Sequence, residues 1–264
     1  MIVGLMGAGR LGGAVLAGLL ASGHAAGDVV VAEKDADRAR ELTAQHGVAV
    51  DTPAAVAARA DMLLIVVKPQ DVAALLAEIA AQVSADTLVV SLAAGVSTAA
   101  IEQHLPSRPP VIRVMTNTPL LVGEAMSAIC AGRHAGEEQL AAATALLAPV
   151  GQVLRVTEAQ LDAVTALSGS GPAYFFYLVE AMVEAGVLLG LPRPLAAQLV
   201  TQTAVGSARM LRDGEHPALL REAVTSPAGT TIAALRELDR HGVRAALMDA
   251  LEAARDRSRE LGRA

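Results

Sequence analysis

The chain has 264 residues, a length that accommodates two domains and a sizeable buried core. Apolar residues make up 53% and aromatics only 2%, so the core has to be assembled from Ala, Leu and Val. The net charge is −6 and neither the part up to residue 160 nor the part beyond it is basic, which argues against a nucleic-acid-binding protein but not against a small local basic patch.

A single cysteine, Cys130, excludes an internal disulfide framework and any Cys-based zinc cluster. No stretch of about 18 apolar residues runs without charges or turn residues, so no transmembrane helix is expected. The glycine-studded N-terminus around Arg10 does not read as a signal peptide. The expectation is a cytoplasmic enzyme with no membrane or nucleic-acid partner.

Residues 1–157 alternate short β-branched runs with Ala/Leu-rich helical stretches. Strands are predicted at Ile2–Leu5, Val29–Glu33, Val48–Val50, Met62–Val67, Thr87–Ser91, Val111–Val114, Ser127–Ala131 and Gln152–Val156. Helices are predicted near 10–22, 36–46, 53–59, 71–82, 97–104 and 137–148. Near-continuous apolar strands such as MLLIVV suit a sheet covered on both faces, so this part reads as a doubly wound α/β domain of Rossmann type. Residues 158–264 read as all-helical, with helices near 158–168, 172–189, 194–212, 217–224, 229–240 and 242–261. All four aromatics, Tyr174 to Tyr177, are consecutive and ring one helix, so either its own bundle or a neighbouring subunit must cover them.

Gly7, Gly9 and Gly12 form a G-x-G-x-x-G pattern between the first strand and the first helix. In that context the pattern marks a dinucleotide site, with Ala8, Arg10 and Leu11 between and beside the glycines facing the pyrophosphate. Glu33 follows Gly12 by 21 residues and suits a free ribose 2′-hydroxyl, whereas adjacent Lys34 suits a 2′-phosphate. Both NADH and NADPH therefore stay open. Val67, Lys68 and Pro69 follow the fourth strand, Ala93 the fifth, and Asn117 the sixth, all at carboxyl ends where such sheets bind ligands.

In the helical part, Thr225, Ser226, Thr230 and Thr231 place four hydroxyls in seven residues around Pro227 and Gly229. Free N–H groups at a helix start, joined by hydroxyls, suit a small carboxylate better than N-capping alone does. Both lysines, Lys34 and Lys68, lie in the first domain, so no lysine of the helical part can serve as an acid or base. The six histidines are scattered; His216 reads as a helix-start residue, and no metal-ligand spacing appears. A reductase without a strong acid or base suits a C=N bond, which as an iminium is already electrophilic.

These motifs resemble those of pyrroline-5-carboxylate reductases. The resemblance runs through VVKPQ at 66–70, SLAAGV at 91–96, VMTNTPLLVGEAMSA at 114–128, VTALSGSGPAYFFYLVEAM at 164–182, GLPRPLA at 190–196 and LREAVTSPAGTTIAALREL at 220–238. It implies NAD(P)H-dependent hydride transfer to C5 of 1-pyrroline-5-carboxylate, giving L-proline. It also implies that Thr231 meets the ring nitrogen as catalytic residue, and that Ser226, Gly229, Thr230 and Thr231 hold the carboxylate. Lys68, Pro69, Ala93 and Asn117 would border the cofactor. A homodimer with interlaced helical domains, possibly arranged as a decamer, is implied as well. The alternatives are a related reductase of another cyclic imine or small hydroxy or keto acid, and a non-catalytic nucleotide-binding oligomer. Three positions depart from the family pattern: Thr116 replaces a proline, Ala228 replaces a glycine, and Glu33-Lys34 stands where a neutral residue and an arginine are common. The Thr116 loop is expected to be less rigid, and Ala228 to be strained if its φ is positive.

Overall fold

The computed structural model describes residues 1–262; positions 263 and 264, the end of the expected helical domain, lie outside the described residues. The chain forms two compact units. One comprises Met1–Ser170 together with the described residues from Ala254 onward, and the other is Gly171–Ala253.

The first unit is built on an eight-stranded sheet: β1 Val3–Met6, β2 Val29–Ala32, β3 Ala49–Val50, β4 Met62–Ile65, β5 Leu88–Ser91, β6 Val111–Met115, β7 Ala125–Ala131 and β8 Gly151–Arg155. Its order is β3-β2-β1-β4-β5-β6-β7-β8. The helices are α1 Arg10–Ala21, α2 Ala36–His46, α3 Pro53–Arg59, α4 Pro69–Ile79, α5 Thr98–Gln103, α6 Glu137–Leu147 and the short α7 Leu161–Val164. Local chemistry sets their ends. Asp35 caps α2 and Gly47 closes it at φ +68, while Thr52 and Pro53 start α3.

Every residue of β1, β2, β4 and β5 is buried. Along β4 the side chains alternate between two cores. Met62 and Leu64 pack with Leu16, Leu19 and Leu147 on one face, and Leu63 and Ile65 with Leu76, Ile79 and Ile101 on the other. Burial on both faces is why these runs are apolar throughout rather than alternating.

Two features go beyond the sequence reading. Strand β7 runs antiparallel to β6, because residues 116–124 fall short of the dozen or so that a parallel crossover takes. The helix expected at 158–168 is not uniform. After α7 the backbone widens into a π turn at Thr165–Gly169, in which the Ser170 N–H reaches back to the Thr165 carbonyl at 2.8 Å.

The second unit contains α8 Gly171–Leu188, α9 Arg193–Arg212, α10 Pro217–Ala223, α11 Thr230–Arg240 and the first part of α12 Val243–Leu261. Gly186 lets α8 and α9 approach closely, since a Cβ there would lie 2.8 Å from the Ala196 Cβ. Within this unit only Gly171 and Ala196 are buried. Phe175, Phe176 and Tyr177 are 69%, 68% and 73% exposed, so the helices of one chain do not cover their own aromatic ring. No helix among the described residues is long and apolar enough to cross a membrane.

Glu158 ties three parts of the first unit together. It accepts hydrogen bonds from the Thr98 N–H and hydroxyl, both at 2.8 Å, and pairs with Arg113 at 3.0 Å. Burial alone would raise its carboxyl pKa, but the Thr98 donors and the Arg113 guanidinium outweigh burial and hold it below the usual carboxylate range. Burial, reinforced by the Glu158 charge, pushes the neighbouring Cys130 thiol up to about 11. Because Glu158 is depressed in the folded chain, its contribution to stability is present above the unfolded-state pKa and is lost as pH falls through the folded value. Glu158→Gln should therefore lower stability at neutral pH and flatten the loss of stability below about pH 4.5, measured by chemical denaturation across a pH series.

Candidate active site

The strand order reverses between β1 and β4, which opens a crevice outside their carboxyl ends. Gly7 stands there at φ +92, donating its N–H to the Ala32 carbonyl at 2.9 Å. A side chain at Gly12 would place its Cβ 2.1 Å from the Gly7 carbonyl oxygen, so α1 can rest on the loop only with glycine at this position. Gly9 differs. Its φ is −60, and the nearest atom to a hypothetical Cβ is an Arg38 nitrogen at 3.5 Å. The fold itself does not demand glycine at position 9; what its absent side chain leaves open is the start of α1. No side chain caps that start, and its N–H groups at Arg10 and Leu11, with buried Ala8 behind them, fit a dinucleotide pyrophosphate.

Of the other expected cofactor residues, Glu33 and Val67 touch this loop. Val67 is half-buried, with a methyl 3.2 Å from where a Gly7 Cβ would lie. Lys68 is exposed at the start of α4, again with no side-chain cap, and Pro69 is the first helical residue. Ala93 is only 2% exposed and packs in the core, so its backbone and exposed Ala94 are what the loop offers a ligand. Glu33 accepts the Ala8 N–H at 2.9 Å and the Asp35 N–H at 3.0 Å. Lys34 is 90% exposed and lies 3.8 Å from Asp71. Arg38, which the sequence reading missed, donates to the Ala8 carbonyl at 3.4 Å. The cap at Asp35 fixes the first turn of α2, but its approach to the glycine loop is a matter of tertiary packing.

Asn117 holds its neighbourhood together. Its side-chain oxygen accepts the Met126 N–H at 3.0 Å, and its amide group donates to the Ser168 carbonyl and hydroxyl, both at 3.2 Å. The π turn is thereby fastened to the loop after β6. Thr116, expected to loosen this loop, instead receives a hydrogen bond from the buried Ser127 hydroxyl at 2.8 Å.

In the helical unit, Gly229 heads α11, and again no side chain caps the helix. Ordinary N-capping therefore does not account for the hydroxyls of Ser226, Thr230 and Thr231. His216, by contrast, does cap α10, accepting the Ala218 N–H at 3.2 Å. The Gly229 N–H closes a turn onto the Ser226 carbonyl at 3.1 Å, and a Cβ at Gly229 would lie 2.3 Å from the Ser226 hydroxyl oxygen. Thr231 is half-buried, and Ser226 and Thr230 are exposed. Beside the turn lies a cavity of about 650 Å³ lined by Arg221, Arg236 and Arg244 among others. Asp239 lines the same cavity and Arg236 pairs with Glu237 at 3.2 Å, so the positive charge beside the start of α11 is partly offset.

Pro227 and Ala228 occupy the middle of the turn, and Ala228 has φ +54. This is the third position of a type II turn, where glycine is preferred because a Cβ meets the following carbonyl. Ala228→Gly should raise stability by about 1 kcal/mol, read from chemical denaturation at fixed protein concentration. A loss of stability would show that the turn is unstrained.

Residues 158–261 match the family model described as pyrroline-5-carboxylate reductase dimerisation, and residues 2–95 match the model described as NADP oxidoreductase, coenzyme F420-dependent. The chain is 44% identical to a pyrroline-5-carboxylate reductase of Corynebacterium melassecola, over 99% of this chain and 98% of that protein. It is 41% identical to one from Arabidopsis thaliana, over 98% and 95%. Among solved structures, a pyrroline-5-carboxylate reductase from Coxiella burnetii superposes with a TM-score of 0.93 at 34% identity, covering 98% of this chain and 97% of that one. The Plasmodium falciparum pyrroline carboxylate reductase with NADP bound gives 0.88 at 26% identity, covering 99% and 98%. With a Rossmann-type unit and a helical dimerisation unit matched to relatives along essentially its whole length, the chain belongs to the pyrroline-5-carboxylate reductase family.

Proposed function

We infer that this protein reduces 1-pyrroline-5-carboxylate to L-proline with NAD(P)H, the last step of proline biosynthesis. Membership of the family over 99% of the chain carries the reaction, and the uncapped, hydroxyl-rich start of α11 supports the assignment of residues to roles.

The glycine loop of Gly7, Ala8, Gly9, Arg10 and Leu11 binds the pyrophosphate. Glu33 and Lys34 meet the adenosine ribose, and Val67, Lys68, Pro69, Ala93 and Asn117 border the rest of the dinucleotide. The nicotinamide supplies the hydride. Ser226 and Thr230 hold the substrate carboxylate through their hydroxyls and the free N–H groups of Thr230 and Thr231, with Gly229 leaving room for it, an arrangement that suits a small anion at a helix start. Thr231 hydrogen-bonds the ring nitrogen. As C5 gains the hydride, the C5=N double bond becomes single and the nitrogen keeps its proton as an amine. Orientation and exclusion of water supply the catalysis, with no strong acid or base required.

Glycine loop and α11 turn belong to different units, and we place their meeting in the dimer, where the helical unit of one chain completes the site of the other. Interlaced helices would cover the exposed ring of Phe175, Phe176 and Tyr177, each worth roughly 1.5–3 kcal/mol when buried. Dimers arranged as a decamer fit the same scheme.

Thr231→Ala should lower kcat about 10–100-fold, the value of a hydrogen bond to a charged group, while leaving dinucleotide affinity unchanged. An unaltered kcat would remove the hydroxyl from the mechanism. Phe176→Glu should give monomers in analytical ultracentrifugation and abolish turnover. Active monomers would show that one chain suffices for the site.

A further inference from the structure

The turn between β2 and α2 concentrates negative charge where the adenosine ribose of a dinucleotide is read. Glu33 is fixed in place by two backbone donors, with one carboxylate oxygen on the Ala8 N–H at 2.9 Å and the other on the Asp35 N–H at 3.0 Å. Swinging it aside would strip the buried Ala8 amide of its acceptor, a costly change. Each oxygen keeps a lone pair for a ribose hydroxyl.

The neighbouring helix start is occupied too. Asp35 takes the Asp37 and Arg38 N–H groups at 3.0 and 3.1 Å, the donors that a phosphate would otherwise find at the start of α2. Those same bonds hold the Asp35 carboxyl below its usual pKa, so it is charged at neutral pH. The nearby cations offer little compensation. Lys34, at the rim of the ribose site, is drawn to Asp71 at 3.8 Å, and Arg38 donates to the Ala8 carbonyl at 3.4 Å.

We propose that Glu33, held by the Ala8 and Asp35 amides, together with Asp35 at the start of α2, makes this enzyme select NADH over NADPH by repelling the 2′-phosphate. The proposal rests on the dinucleotide reading above and adds to it a choice between the two coenzymes.

Isothermal titration of the full-length protein with NADH and with NADPH, at fixed ionic strength, tests it. The wild-type chain should bind NADH at least tenfold more tightly. Glu33→Gln keeps an acceptor for one of the two amides but removes the charge, and should narrow that ratio at least tenfold, chiefly by tightening NADPH. Asp35→Ser, which keeps a neutral cap, should narrow it as well, and thermal melts check that both variants fold. Equal or tighter binding of NADPH by the wild type overturns the proposal. So does an equal loss of both coenzymes in Glu33→Gln, which would make Glu33 only a prop for the loop. If the wild type binds neither dinucleotide, the nucleotide-site reading falls together with the proposal.

Discussion

The chemistry proposed for this protein depends on helix starts left open. A helix presents N–H groups at its first turn that have no partner within the helix, and most proteins satisfy them with a neighbouring side chain. Here α2, α3, α5 and α10 follow that habit through Asp35, Thr52, Ser97 and His216. No such cap is present on α4, α6, α7 and α9, nor on α1 and α11, which are headed by Gly9 and Gly229. Donors kept free of intramolecular partners are available to anions, and a dinucleotide and an amino acid both present anionic groups.

Rigid surroundings keep those donors aimed. At α1 the rigidity is steric, since Gly7 and Gly12 permit backbone contacts that no side chain could share. Around the loop after β6 it comes from polar contacts, with Thr116 tied to Ser127, and Asn117 to Met126 and Ser168. At the α11 turn the backbone adopts a conformation unfavourable to Ala228, and so carries strain close to the residues assigned to the substrate.

Legibility in the sequence followed how local the determining interactions are. The runs at Met62–Ile65 and Leu88–Ser91 announce buried strands by composition alone, and α2 is bounded by Asp35 and Gly47. The glycine loop was readable because its spacing encodes backbone geometry. The direction of β7 was not read, because its run looks like any other apolar strand and only the shortness of the link before it reveals an antiparallel return. Nor did the sequence reveal that Ala93 buries its methyl, or that Arg38 reaches the glycine loop. Those facts come from packing between elements far apart in the chain. The sequence did show that the aromatic ring at 174–177 needs a cover, though not which surface provides it.

The uneven burial of the two units has a kinetic consequence. The first unit carries two apolar cores of its own and can organise as a unimolecular event. The helices from 171 to 253 bury almost nothing within one chain, so their consolidation awaits an encounter between two molecules. Maturation of this enzyme is therefore second order in its late stage. In dilute solution, newly made chains would hold a formed first unit before their helical units consolidated.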